Sequence, residues 1–106
     1  MQRWGGMLVV AGTITLDPKQ RAAAEAAFDR MREATLEEPG CIAYQAYLDR
    51  TDPGTVFIFE KWQSQEALDA HFATAHMAEL GAALAGLGVT GMDVKKYTVT
   101  GEGPVP

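Results

Sequence analysis

The chain has 106 residues, 47% of them hydrophobic and 22% charged, the balance of one globular domain rather than of a disordered or fibrous chain. Asp and Glu number 14 against 9 Lys and Arg; a formal charge of −5 repels phosphate backbones, and without a local basic stripe nucleic acid is not an expected partner. The apolar runs, such as residues 7–11, fall far short of the ~20 residues that cross a bilayer, so no membrane partner is expected either. The apolar run 7–11, into which residues 1–6 lead, is too short for a signal-peptide core and continues as a patterned strand, and Cys41, the one cysteine, excludes an internal disulfide or a cysteine zinc cage. A reducing cytoplasm fits best.

Residues 7–16 alternate as a strand whose first half is apolar on both faces, the mark of a position inside a sheet. Asp17-Pro18-Lys19-Gln20 then writes a helix start: Asp17 as cap, Pro18 at the first helical position, and Gln20 where a capping box reaches back. The spacing predicts a helix over 18–37 with Ala24, Ala27, Phe28, Met31 and Leu36 on or near one stripe, stopped by Pro39-Gly40. Residues 41–48 and 55–62 alternate as two strands around a polar Asp52-Pro53-Gly54 turn, an antiparallel hairpin with a long loop. On the first of them Ile42, Tyr44, Ala46 and Leu48 are expected to share a face.

Ser64 caps a second helix over 65–73, with Leu68, His71, Phe72 and Ala75 on its apolar side. A break is expected near Thr74-Ala75, then a helical segment over 76–84 that frays through the glycine-rich stretch 81–91. Residues 92–100 read as the last strand and 101–106 as a tail, so the domain spans 1–106 with its core over about 7–100. The order β-α-β-β-α-β with right-handed crossovers is the ferredoxin-like α+β arrangement, a four-stranded antiparallel sheet with helices on one face. The other face also carries large apolar groups, and a homodimer packed sheet on sheet is the expected remedy.

The candidate chemical groups lie between Glu60 and His76. His71 sits on the apolar stripe of the second helix, so it is either a buried histidine satisfied by one hydrogen bond or a pocket acid or base. His76 comes five residues later, missing the i+3 and i+4 spacings, and no third ligand is evident; a metal site is not expected, and a solvated first-turn residue is the plain reading. Glu60 lies between Ile58 and Trp62 on one strand face, where a carboxylate pairs with a base, reaches the sheet edge or lines a pocket. Trp62 reads as core or rim, and Cys41 as an inert thiol. No glycine pattern fits a nucleotide loop, and no GxSxG elbow surrounds Ser64, the one serine.

The run from Phe59 to Met77, with Glu60-Lys61-Trp62, then Ala70-His71 and His76-Met77, resembles the antibiotic biosynthesis monooxygenase (ABM) domain family, especially its small quinol monooxygenase branch. Glu38-Pro39-Gly40-Cys41-Ile42-Ala43-Tyr44 matches the helix-stop turn and strand of that family. The resemblance covers about residues 7–99 and implies a dimeric α+β barrel that oxidises a small hydroxyaromatic or quinol with molecular oxygen and no cofactor. It further implies catalytic roles for His71, Trp62 and His76, with His71 taking the proton, and contacts to substrate from Tyr44, Glu60 and Phe72. The haem-degrading members of the family resemble this chain less: Gly12, His71 and Gly81 stand near the positions of their Asn, Trp and His. Two other readings stay open, a proton-shuttling isomerase of a small signalling metabolite and a dimeric ligand-binding or stress module without turnover.

Overall fold

The computed structural model describes residues 6–106; residues 1–5, the start of the segment that leads into the apolar run 7–11, lie outside it. Four strands, β1 (Leu8–Thr15), β2 (Cys41–Leu48), β3 (Thr55–Trp62) and β4 (Gly91–Thr98), form one antiparallel sheet in the order β2-β3-β1-β4. This is the ferredoxin-like order, with the first strand of each half at the centre. No helix among the described residues is long and apolar enough to cross a membrane.

Three helices cover one sheet face: α1 (Arg21–Leu36), α2 (Gln65–Phe72) and α3 (Ala75–Ala85). Pro18–Gln20 form a 3-10 turn ahead of α1 rather than its first turn. Asp17 does accept from the Lys19 N–H, but Gln20 makes no reciprocal side-chain bond, so the expected capping box is absent. The buried stripe of α1 is Ala24, Ala27, Phe28, Met31 and Thr35. Thr35 replaces the expected Leu36 because a step of four from Met31 keeps the helical phase and a step of five rotates out of it. Helix α3 is regular to Ala85, through the Gly81 expected to fray, since its packing against α1 outweighs a single glycine's ~1 kcal/mol.

On the helix-facing side, Leu8, Val10, Ile14, Tyr44, Val56, Ile58 and Trp62 are buried beneath the helices. A bulge between Cys41 and Ala43 turns Ile42 outward, so it does not share the face of Tyr44. Gly12 has a physical reason at the centre of β1: a Cβ there would stand 2.0 Å from the carbonyl oxygen of Asp93 on β4. The opposite face is open, with Tyr47, Phe57 and Tyr97 between 41% and 53% exposed. Tyr47 and Phe57 are direct partners across the β2–β3 ladder, their ring centroids 6.4 Å apart.

Candidate active site

The site is built where two helix ends meet. α1 stops at Leu36, and the chain turns through Glu37 to Gly40 before entering β2. The turn is pinned on both sides: Glu38 N–H donates to the Thr35 carbonyl, Cys41 N–H to the Glu38 carbonyl, and Gln63 N–H to the Gly40 carbonyl. Gly40 adopts φ +86°, and a Cβ there would lie 2.5 Å from that of Ala67 on α2, so the turn is held close to the second helix. Glu38 is thereby fixed beneath α2.

The second helical stretch is interrupted. Ser64 Oγ caps α2 by accepting from Ala67 N–H, and Thr74 Oγ1 caps α3 by accepting from Met77 N–H. The Thr74 hydroxyl also donates to the His71 carbonyl at 2.7 Å, tying the end of α2 to the start of α3. A continuous helix would turn His71 and His76 by 500° relative to each other at 100° per residue, about 140° apart in direction. The break brings them together.

His71 Nδ1 lies 2.8 Å from Glu38 Oε2, and His76 Nε2 lies 2.5 Å from the same oxygen. Side-chain exposure rises through the cluster from 2% at His71 to 10% at Glu38 and 22% at His76. The His71 ring packs between aromatic neighbours, its centroid 4.7 Å from Trp62, 5.6 Å from Phe72 and 6.1 Å from Tyr44. With Nδ1 held by Glu38, Nε2 is the nitrogen left for a ligand.

His71 lines a cavity of about 410 Å³ between the sheet and helices α2 and α3. Its wall is mostly apolar, with Phe28, Ile58, Leu68, Leu80 and Val94, and its polar residues are Tyr44, Glu60, Gln65, His71 and, on β4, Lys95 and Lys96. That composition is typical of a small-molecule site. Lys96 Nζ bonds the amide oxygen of Gln65 at 2.8 Å, a neutral partner. A larger groove of about 770 Å³, lined by Gly6, Met7, Ile42 and Ser64 among others, brings no imidazole, thiol or aromatic ring among the described residues.

Glu60 is buried and accepts a 2.9 Å hydrogen bond from the Trp62 indole N–H. Burial pushes its carboxyl above the usual carboxylate range; the Trp62 bond and the His71 charge oppose this, and the Glu38 charge adds to it. Burial, followed by the charge of Glu60, also raises the Tyr44 hydroxyl well above its ordinary value, so Tyr44 stays a hydrogen-bond donor at neutral pH. The Cys41 thiol is pushed up to about 11, first by burial and then by Glu38 and Glu60, which makes it a poor nucleophile.

The six residues singled out from the sequence do gather here, but in different positions. Tyr44, Glu60, His71 and Phe72 line the cavity. Trp62, given a catalytic role by the resemblance, is wholly buried outside that lining, because its indole packs against His71 and its N–H is spent on Glu60. His76 is not the solvated first-turn residue that spacing suggested: it binds Glu38 and opens onto a separate groove between α1 and α3. Phe72, expected on the apolar side of its helix, is 57% exposed at the cavity's edge.

Glu38 is the residue that sequence reasoning missed, being read only as part of a helix stop. A signal existed: a carboxylate just past a helix C-terminus sits against the negative end of the helix dipole, which asks for a compensating partner. By type, Glu38, His71 and His76 are also donors that a transition metal accepts, with ligand atoms within 4.8 Å of one another.

Comparison with known proteins gives this geometry its context. Over 72 residues, 68% of this chain and 49% of the relative, the sequence is 38% identical to the uncharacterized protein sll1783 of Synechocystis sp. (strain PCC 6803). It is 37% identical over 59 residues, 56% of this chain and 57% of the relative, to "Putative monooxygenase Rv0793" of Mycobacterium tuberculosis. The matched stretches thus span about half the length of these curated relatives. The solved structure of Rv0793 superposes with a TM-score of 0.79 at 28% identity, covering 92% of this chain and 98% of that one. A "putative antibiotic biosynthesis monooxygenase" from Caulobacter crescentus superposes with a TM-score of 0.80 at 27% identity, covering 89% of this chain and 90% of that one. The profile of the antibiotic biosynthesis monooxygenase family matches residues 7–83. With most of its length so matched and the fold in agreement, this chain belongs to the antibiotic biosynthesis monooxygenase family.

Proposed function

We propose that the chain is a monooxygenase that oxidises a small hydroxyaromatic or quinol with molecular oxygen, using its own side chains to hold and deprotonate the substrate. The observation that carries the reading is His71, on the wall of an apolar cavity with its Nδ1 held by Glu38 at 2.8 Å. Glu38 fixes the tautomer with Nε2 free and stabilises the imidazolium that forms when Nε2 takes the substrate's hydroxyl proton. The apolar wall strengthens the resulting anion as an electron donor by denying it water. The anion passes one electron to dioxygen, the two radicals combine at a ring carbon, and protonation gives a hydroperoxide. Loss of water leaves one oxygen atom on the oxidised ring. The quinol supplies both electrons, so the balance needs no external reductant.

Oxygen uptake with a panel of hydroquinones, in the presence of a chelator, tests this reading. His71→Phe should keep the fold, because the site is apolar, and cut turnover by about 10²–10⁴-fold. Wild-type protein that consumes no oxygen with any electron-rich phenol would overturn it. Lys96 on the cavity wall favours a second reading, a proton-shuttling isomerase of an anionic metabolite; turnover that needs His71 but no oxygen identifies that case.

A second copy of the chain is proposed to cover the open sheet face. Tyr47, Phe57 and Tyr97 supply its apolar surface, and Lys61 and Lys95 fall on the same face by strand alternation. Sedimentation should report a dimer, and Phe57→Lys should yield a folded monomer. A stable wild-type monomer at micromolar concentration would contradict the assignment.

A further inference from the structure

We infer that Glu38, His71 and His76 form a binding site for a divalent transition-metal ion, and that the bound ion switches off the base at His71. The second half rests on the proposed role of His71; the first does not.

Both imidazole nitrogens aim at one point in space. That point is now held by Glu38 Oε2, at 2.8 Å from one ring and 2.5 Å from the other. Two imidazoles and one carboxylate are a donor set that zinc, cobalt and iron take readily, whereas magnesium and calcium prefer all-oxygen shells. Ligand atoms around a tetrahedral ion, each at about 2.1 Å, stand about 3.4 Å from one another. The two contacts to Glu38 must therefore open by less than about 1 Å, which a rotation of its carboxylate supplies, and the two imidazole nitrogens, now within 4.8 Å of each other, must close by up to about 1.4 Å, which small turns of the rings supply. Among the described residues no other group of His, Cys, Asp and Glu converges in this way.

The cluster also has an entrance away from the cavity. His76, the most exposed of the three, lines a groove of about 310 Å³ between α1 and α3 that Glu79 shares. Glu79 and Arg30 put one charge of each sign at that mouth, and the formal charge of −5 over the whole chain favours cations around it. An ion can thus reach the cluster without passing the substrate.

The consequence for His71 follows from imidazole chemistry. A metal bound at Nδ1 requires that nitrogen to be unprotonated, so the ring's one remaining proton sits on Nε2. Nε2 is the nitrogen that would accept the substrate proton. Metal binding and proton acceptance exclude each other on the same ring.

The test uses Co²⁺ and Zn²⁺ with the intact chain. Calorimetry should give one saturable site per chain for either ion, with no competition from excess Mg²⁺, and Co²⁺ should develop a visible absorption band. The chain holds only two histidines, so their ring resonances are directly readable by NMR, and both should move on addition of Zn²⁺. Glu38→Ala and His76→Gln should each lose the absorption band. Should either variant fold poorly, the resonances of the wild-type protein decide alone. Absence of saturable binding, or binding that leaves both rings unmoved, overturns the site and leaves the base assignment untouched. Zinc held by both rings with oxygen uptake undiminished establishes the site but overturns the switch, and the role of His71 with it.

Discussion

The two halves of the molecule, β1-α1-β2 and β3-α2-α3-β4, cross the same sheet face with helices of different character. The first crossover is one uninterrupted helix of 16 residues that buries Ala24, Ala27, Phe28, Met31 and Thr35. The second is cut into helices of 8 and 11 residues, and buries only Leu68, His71 and Leu80 from the pair. What the second half gives up in packing it gains in position. The cut at Ala73–Thr74 leaves a cavity over the sheet, and it turns two imidazoles towards a carboxylate delivered by the end of the first helix. Stability is concentrated in the continuous crossover and chemistry in the broken one, with Glu38 as the first half's contribution to the site.

That division can be tested by substitutions chosen to separate activity from stability. The largest effect is expected at Glu38→Gln, which retains the volume and one accepting oxygen but removes the charge that fixes and supports His71. Oxygen uptake should fall by about 10²-fold or more, by analogy with loss of an orienting carboxylate beside a catalytic imidazole. Its urea midpoint should change much less than its rate. An unchanged rate would show that the first half does not reach the chemistry.

A smaller effect is expected at the cut itself. Thr74→Ala removes the cap of α3 and the bond to the His71 carbonyl, and should cost about 1 kcal/mol in denaturant unfolding. It should also lower activity, since His71 sits at the released end. A loss of stability with activity untouched would mean that the aromatic packing alone orients the ring.

The third test reads the pH dependence of stability. The Glu60 carboxyl is raised above its ordinary value of 4.5, so the folded state holds a proton that the unfolded chain has already released in that window. Stability should therefore decline as pH rises from about the ordinary glutamate value, and level off above the raised one. Glu60→Gln should flatten that part of the profile. A wild-type curve that rises through this window would contradict the assignment.

Much of the fold was legible because its signals are local. Alternation marked β2 and β3 at their observed bounds, Ser64 and Thr74 announced two helix starts, and Pro39-Gly40 marked the end of α1. Errors arose where position depended on what lay across the chain. Ile42 alternates correctly in the sequence, yet a bulge against β3 turns it outward. Gly81 looks like a helix breaker until α1 packs against α3. The site was legible in its members more than in its wiring: Tyr44, Glu60, His71 and Phe72 reach the cavity, Trp62 lies behind it, and the partner of both histidines went unread.

Residue spacing by itself determined the strands, the helix boundaries to within a few positions, and a histidine on the buried side of α2, since periodicity and capping act over a few residues. Only the tertiary structure decided that Glu38, more than thirty positions before His71, meets both imidazoles through a single oxygen. That meeting needs a left-handed glycine, a helix interruption and the antiparallel register to coincide, and no local rule couples the three.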